Sequence, residues 1–414
     1  MSAVIPKFRF QCFQSDWSEN KLSHFCYINP PKPIEPVDGK ISFIPMNAVT
    51  EEAKLSYSET VSYKSYCKGF TGFQDGDAIF AKITPCFENG KGALLQGLVN
   101  GVGFGSTEFH VLRAKEGSSP SFIHYLLNTP KFRFVGERNM QGSAGQKRVT
   151  TDYLRAYKVY FPKSNLEQQK IADFLTSVDT KISQLTEKYR LLKDYKKGVM
   201  QQIFSQQIRF KDDDGNAFPE WNTHELAMLS ESGISNGVFN DPKKVGKGFR
   251  LINVKDMYKG DSIEYSELTL LDLEPKLFEK NKVKYGDIFF TRSSIVPIGI
   301  AFSNVNLSEK EDITFDGHLM KISPNKKLVD PLFLAYYLRS HAPRKALVSR
   351  GKQSTMTTIS QDDIKDIKLN MPALKEQKKI AQFLQSLDKK INAVNEQREH
   401  TKLFKKALLQ QMFV

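Results

Sequence analysis

Between residues 171 and 203 apolar side chains recur in alternating steps of four and three: Ile171, Leu175, Val178, Ile182, Leu185, Tyr189, Leu192, then Lys196, Val199 and Ile203. A helix lines such positions up as one stripe, and a stripe this long predicts a helix packed lengthwise against another. The same stepping restarts at Ile380 and continues through Leu384, Leu387, Ile391, Val394, Arg398, Thr401, Lys405, Leu408 and Met412. Here the ends are apolar and the centre polar. Pairing should therefore be looser in the middle or helped by flanking residues such as Phe404.

The two stripes are copies. Aligned at an offset of 209 residues, Glu167–Phe204 and Glu376–Phe413 agree at 18 of 38 positions. That period is far beyond solenoid repeats, so the unit duplicated is a domain plus a helix. The remainder aligns more faintly. "KFRFQCFQSDWSENKLS" (7–23) resembles "QIRFKDDDGNAFPEWNTHELA" (207–227), which makes Trp17 and Trp221 equivalent. "DGDAIFAKI" (75–83) matches "YGDIFFTRS" (285–293), and "SPSFIHYLLNTP" (119–130) matches "DPLFLAYYLRSH" (330–341), whose apolar spacing predicts a helix. "RVTTDYLRAYKVYFP" (148–162) matches "TISQDDIKDIKLNMP" (358–372), expected as a polar turn followed by a short alternating strand that Pro ends.

The fold class expected is α+β: two similar mixed α/β domains separated by two long antiparallel helices that form an intramolecular coiled coil, the whole a pseudo-two-fold duplication. The boundaries are 1–163, 164–207, 208–372 and 373–414. Each helix could instead pack on its own domain alone. Mutual packing is preferred, and an antiparallel pair needs no long return path for the chain. About forty residues at 1.5 Å each give about 60 Å, a rod able to hold two domains at a fixed separation.

Charge changes the picture. The chain of 414 residues carries a net +14, which favours an acidic partner, nucleic acid before membrane surface. The excess is spread out, with 20 basic against 14 acidic side chains in 1–164 and 24 against 23 in 209–372, so no polybasic arm exists. No apolar run reaches membrane-spanning length and nothing marks export, so a cytoplasmic protein is expected. Cys12, Cys26, Cys67 and Cys86 form no CxxC pair, which argues against a disulfide framework or a zinc site.

Two related domains on one basic chain suit double-stranded DNA, with each domain reading one half of a bipartite site. The halves share frame residues and differ in polar, Gly-marked loops: "KITPCFENGKG" (82–92) against "RSSIVPIGI" (292–300), and "QGSAGQKRV" (141–149) against "RGKQSTMTT" (350–358). Arg and Lys suit guanine, Asn and Gln suit adenine, and Ser and Thr suit phosphate. The candidate DNA-binding residues are Lys82, Asn89, Lys91, Gln141, Ser143, Gln146, Lys147 and Arg148, then Arg292, Ser293, Ser294, Arg350, Lys352, Gln353, Ser354 and Thr355. The competing reading of each is a solvated loop position.

The repeated "EQxKIAxFLxSxDxKI…QQxF" block, the "RF…W…L" opening of each half, the "GDxxFxR/K" turns and the "P-x-L-x-EQ" junction together resemble the specificity subunit of a type I restriction-modification system. "PALKEQKKIAQFL" (372–384) fits the junction closely, whereas "PKSNLEQQKIADFL" (162–175) carries an insertion. The resemblance covers essentially the whole chain. It implies two target-recognition domains, each for half of a split DNA sequence, and helices that dock two methyltransferase (modification) subunits, in a system of defence against foreign DNA. Those subunits would use S-adenosylmethionine to methylate adenine. Two restriction/translocase subunits would bring ATP- and Mg-dependent chemistry, and this chain would hold no cofactor of its own.

Searches for catalysis agree with that expectation. "YINPPKP" (27–33) lacks the aromatic residue that a base-flipping loop needs after its prolines, and reads as an extended loop. "NGVGFGSTEF" (100–109) has cofactor-turn glycines but no following βαβ unit, and reads as a hairpin or bend. The seven histidines fall in no metal-binding spacing. Two alternatives stay open: a fused DNA adenine methyltransferase, for which a cofactor domain would have to be found, and a coiled-coil scaffold that binds DNA by charge alone, which sequence-independent, salt-sensitive binding would reveal.

Overall fold

The computed structural model describes residues 5–143, 145–353 and 356–414. The chain divides into two compact units, residues 1–186 with 396–414 and residues 187–395. Each long helix, Asn165–Phe204 and Leu374–Gln411, thus gives one part to each unit.

The first unit is built on an antiparallel sheet in the order Cys26–Ile28, Phe109–Ala114, Ala78–Ala81, Gly92–Leu94. Every residue of "AIFA" is buried because both faces of this sheet are covered, so the usual alternation of apolar and polar disappears. Ile79, Ala93 and Val111 face one core, shared with Ile44 and Phe73 of a second sheet. Phe80, Ala78 and Leu112 face the other, shared with helices Pro120–Leu127 and Pro130–Arg138. The second sheet runs Glu59–Ser62, Lys40–Ile44, Val102–Gly105, Thr71–Gln74. Its glycines have a packing cause: a Cβ on Gly103 would lie 2.5 Å from the Phe73 ring, and one on Gly105 would collide with the Ile44 carbonyl. The segment 100–109 is a bend, because Val102–Gly105 and Phe109–Ala114 belong to different sheets.

The second unit repeats this plan. Its central sheet runs Ser230–Asn236, Leu319–Pro324, Ile288–Thr291, Ser303–Val305, beside a smaller sheet Thr269–Leu271, Val245–Ile252, Ile313–Phe315. Ile288, Phe290, Met320 and Ile322 point into the helix-side core, while Phe289 and Leu319 point to Phe315 and Ile252. One sequence expectation is corrected in both units. The polar segments before the last strands are short helices, Thr151–Ala156 and Gln361–Lys365. Thr150 accepts from the Tyr153 amide, and Ser360 with Asp363 forms a capping box, so hydroxyl caps convert an apparent turn into a helical one.

In each unit the two long helices run antiparallel. In the first, Ile171, Leu175, Val178 and Ile182 share a core with Leu408, Leu409, Met412 and Phe413. Direction is fixed at two levels: Lys405 pairs with Asp179 at 2.7 Å, while Gln411 accepts from the Phe8 amide beside Arg9, which is bound to Glu167 at 2.7 Å. In the second, Val199, Ile203 and Phe204 meet Ile380, Ala381, Leu384 and Leu387, and Lys196 pairs with Asp388. The lysines that interrupt both apolar stripes are therefore ion-pair partners of the facing helix.

The repeated Glu-Gln at each helix start is a bolt. Gln168 accepts from the Ser119 amide and donates to the Gly117 and Pro162 carbonyls, while Gln377 accepts from the Asp330 amide and donates to Leu328 and Pro372. Glu167 takes Arg9 and Trp17, and Glu376 takes Arg209. A buried amide and carboxylate satisfied this completely hold the domain, the Pro junction and the helix as one piece. Among the described residues no helix is long and apolar enough to cross a membrane.

Candidate nucleic-acid interface

In the first unit the Gly-marked loop is a hairpin closed by Gln141 and Arg148, which exchange backbone hydrogen bonds at 2.9 and 2.8 Å. It is fastened to the end of the central strand. Thr84 donates to the Lys147 carbonyl, Val149 donates to that of Lys82, and Lys82 donates to that of Glu108. The structure thus brings Gln141, Ser143, Gln146, Lys147 and Arg148 together in one hairpin beside Lys82, and Lys82 and Arg148 both reach Glu108. Asn89 is drawn elsewhere, donating to Glu51 at 2.9 Å, and Lys91 stands just before the strand Gly92–Leu94, its amide on the Cys86 carbonyl.

Glu108 is the residue the sequence reading missed. Its carboxylate takes Arg148 Nε and Nη2 at 3.0 Å each, and that guanidinium holds it below the usual carboxylate range. Beneath them His110 is buried, donating from Nε2 to the Val149 carbonyl at 2.7 Å and accepting at Nδ1 from Asn29. Burial pushes its pKa down to about 4, so a neutral imidazole supports the hairpin base.

The second unit builds the same frame from other side chains. Arg292 donates from its amide to the His318 carbonyl, and Ile359 donates to Arg292, as Lys82, Glu108 and Val149 do in the first. Ser293 and Ser294 pair with Thr358 and Thr357, which pair in turn with Lys352 and Gln353. Ser354 and Thr355 lie outside the described residues. Two of the candidates are tied down: Lys352 binds Asp363 at 2.7 Å and Arg350 reaches Asp366 at 3.4 Å. Asp363 is pushed down to about 2, first by Lys352 and then by Ser360. Arg292 is turned inward, with Nη1 on the Gly317 carbonyl at 2.9 Å, because that turn needs its carbonyl satisfied.

A cleft of about 550 Å³ opens beside this hairpin, lined by Asn236, Phe239, Asn240, Arg292, His318 and Thr358. His318 is oriented by Asp316 at 2.8 Å. Phe239 is 79% exposed, as are Ile295 and Ile298 at 84% and 75% in the neighbouring loop. Phe239 and His318 were not read from the sequence, and Ile295 and Ile298 lie in the 292–300 loop, which was read there for its polar residues alone.

Comparison with known proteins places this geometry. The family described as "Type I restriction modification DNA specificity domain" matches residues 14–193 and 220–401. The type I restriction enzyme EcoEI specificity subunit of Escherichia coli is 39% identical over 159 residues, covering 37% of this chain and 26% of the relative. The EcoAI specificity subunit, also from Escherichia coli, is 37% identical over 171 residues, or 41% and 29%. The chain therefore spans well under two thirds of the length of either relative. A crystal structure of a type I restriction-modification S subunit from M. genitalium superimposes with a TM-score of 0.58, at 13% identity and 99% coverage of both chains, so the fold is shared.

Proposed function

Because the chain belongs to the type I restriction modification DNA specificity family, we propose that it is the DNA-reading subunit of a restriction-modification complex. Each unit takes one half of an asymmetric, bipartite duplex site, and the long helices set the spacing and dock two methyltransferase subunits. Those subunits carry S-adenosylmethionine and the chemistry, and two restriction/translocase subunits add ATP- and Mg-dependent steps. This chain performs no reaction itself and works in the cytoplasm on double-stranded DNA. The domain boundaries 1–163, 164–207, 208–372 and 373–414 are the divisions proposed for these roles.

One observation carries the reading. Lys82–Glu108–Val149 and Arg292–His318–Ile359 make the same backbone hydrogen bonds, yet the side chains displayed around them differ. Core packing explains a repeated frame; a repeated frame with unlike polar groups at its rim is what two different half-sites require. The positive balance, +14, supplies the phosphate attraction. The test is long-read methylation mapping in a host expressing this chain with its methyltransferase subunit. A split motif with two unlike halves is expected; scattered or contiguous methylation would refute the proposal.

A further inference from the structure

We propose that Arg148, held in place by Glu108, reads a guanine in the half-site taken by the first unit. This rests on the DNA-reading role proposed above and names one base within it. A guanidinium has five N–H donors. Three are engaged: Nε and one Nη2 hydrogen on the Glu108 carboxylate, and one Nη1 hydrogen on the Gln146 carbonyl at 3.1 Å. Two remain, one on each terminal nitrogen, on a side chain 39% exposed at the hairpin base. Guanine offers two acceptors, O6 and N7, side by side in the major groove, which is the pattern a fixed fork can fill.

Charge decides between a base and a phosphate. The carboxylate of Glu108 lies 3.0 Å from the guanidinium, so the pair carries no net charge and the acid repels a phosphate. Its two remaining donors keep their direction, and a neutral base edge is what they still suit. The fork is also rigid before DNA arrives, held by the paired carboxylate and by the Gln141–Arg148 backbone ladder, so little side-chain freedom is lost on contact. The second unit cannot copy this contact: Thr358 and His318 occupy the places of Arg148 and Glu108, and neither is a two-pronged donor.

The experiment uses the chain in complex with its methyltransferase subunits, comparing wild type with Arg148→Lys, Arg148→Ala and Glu108→Gln. Methylated motifs are mapped in cells, and the purified complexes select from random-sequence duplexes. Wild type should require guanine at one position of one half-site. Arg148→Lys, which keeps charge and length, should lose roughly 5- to 150-fold discrimination at that base alone, with the other half-site unchanged as the internal proof of folding. Glu108→Gln should weaken the same position and steepen the salt dependence, since an unpaired Arg148 then reaches phosphate. An Arg148→Lys motif identical to wild type, or a uniform loss at all sites with the motif intact, overturns the assignment. A wild-type complex that yields no split motif overturns the parent reading, and does so before any variant is examined.

Discussion

Asp388→Ala tests the joint between helix and domain in the second unit. Asp388 accepts from Lys196 on the facing helix and from Tyr336 Oη at 2.5 Å. Lys196 and Asp388 side chains are 14% and 10% exposed, and Tyr336 is 3% exposed. Removing one member of a buried pair strands the other charge, at about 3–5 kcal/mol. Lys196 retains Asp261 at 3.5 Å, a carboxylate 48% exposed, which places the expected loss at the lower end, about 3 kcal/mol. Replacing both charges by apolar residues, Lys196→Met with Asp388→Leu, strands nothing and should cost only about 1 kcal/mol, about 2 kcal/mol less than Asp388→Ala alone. The two tryptophans allow the measurement unit by unit, since Trp17 packs in the first core and Trp221 against Phe333 and Tyr337 in the second. In a Trp17→Phe background the Trp221 fluorescence transition should fall by roughly 6–12 °C for Asp388→Ala. A single mutant within about 1 kcal/mol of wild type, or a double mutant as damaged as the single, would refute the claim that a desolvated pair holds this joint.

Three other outcomes follow from the packing. His110 is neutral in the folded first unit with a pKa of about 4, against 6.5 when unfolded, so its contribution is complete above pH 6.5 and is lost as pH falls toward 4; the loss is about 3 kcal/mol. The Trp17 transition should show that slope, and His110→Met, which the second unit carries as Met320 at the equivalent strand position, should remove the His110 share while that of His124, also pushed down to about 4 by burial, remains; a slope unchanged in His110→Met would refute it. Gly237→Ala should cost about 2–3 kcal/mol because its Cβ would meet the Phe315 and Asp316 carbonyls, backbone atoms that cannot step aside, whereas Gly198→Ala, with nothing within 4 Å, should stabilise its helix by about 1 kcal/mol; denaturant midpoints read through Trp221 decide both. Inserting one helical turn near Lys193–Lys197, about 5.4 Å, should lengthen the unread gap of the methylated motif by one or two base pairs, and altered half-sites instead would show that the helices are not a spacer.

The elements legible in the sequence were those whose cause is local or copied. Stripes at helical spacing gave both long helices, and the 209-residue repeat showed the two halves to be one plan. What escaped was pairing across distance. Lys196 and Lys405 read as breaks in an apolar stripe, because the acids that complete them stand 192 and 226 residues away on the other copy of the helix. Glu-Gln at each helix start read as a family mark; its cause is a set of carbonyls and amides from three segments that meet only after folding. Thr150 and Ser360 read as turn formers, and as hydroxyl caps they begin helices.

The same distinction separates what was and was not visible at the rim. Gly-flanked basic residues such as Lys147 and Arg148 stand out in a string of letters. Glu108 does not, because a search for groups that touch a polyanion passes over an acid. Yet the acid decides what its neighbour can do: a lone arginine is attracted to any phosphate, and an arginine already paired keeps geometry without net charge. Duplication supplies the control. Where the first unit sets Glu108 and Arg148 on a shared backbone frame, the second sets His318, oriented by Asp316, and Thr358. The frame repeats because both copies must fold against the same kind of helix pair, and folding constrains buried atoms. The displayed groups are released from that constraint, so divergence concentrates where solvent, or a duplex, is met. On this account, exchanging Glu108 and Arg148 for His and Thr should leave the Trp17 transition within about 1 kcal/mol of wild type while altering the first half-site. Equal damage to stability would show that the rim is part of the fold's support and not a replaceable surface.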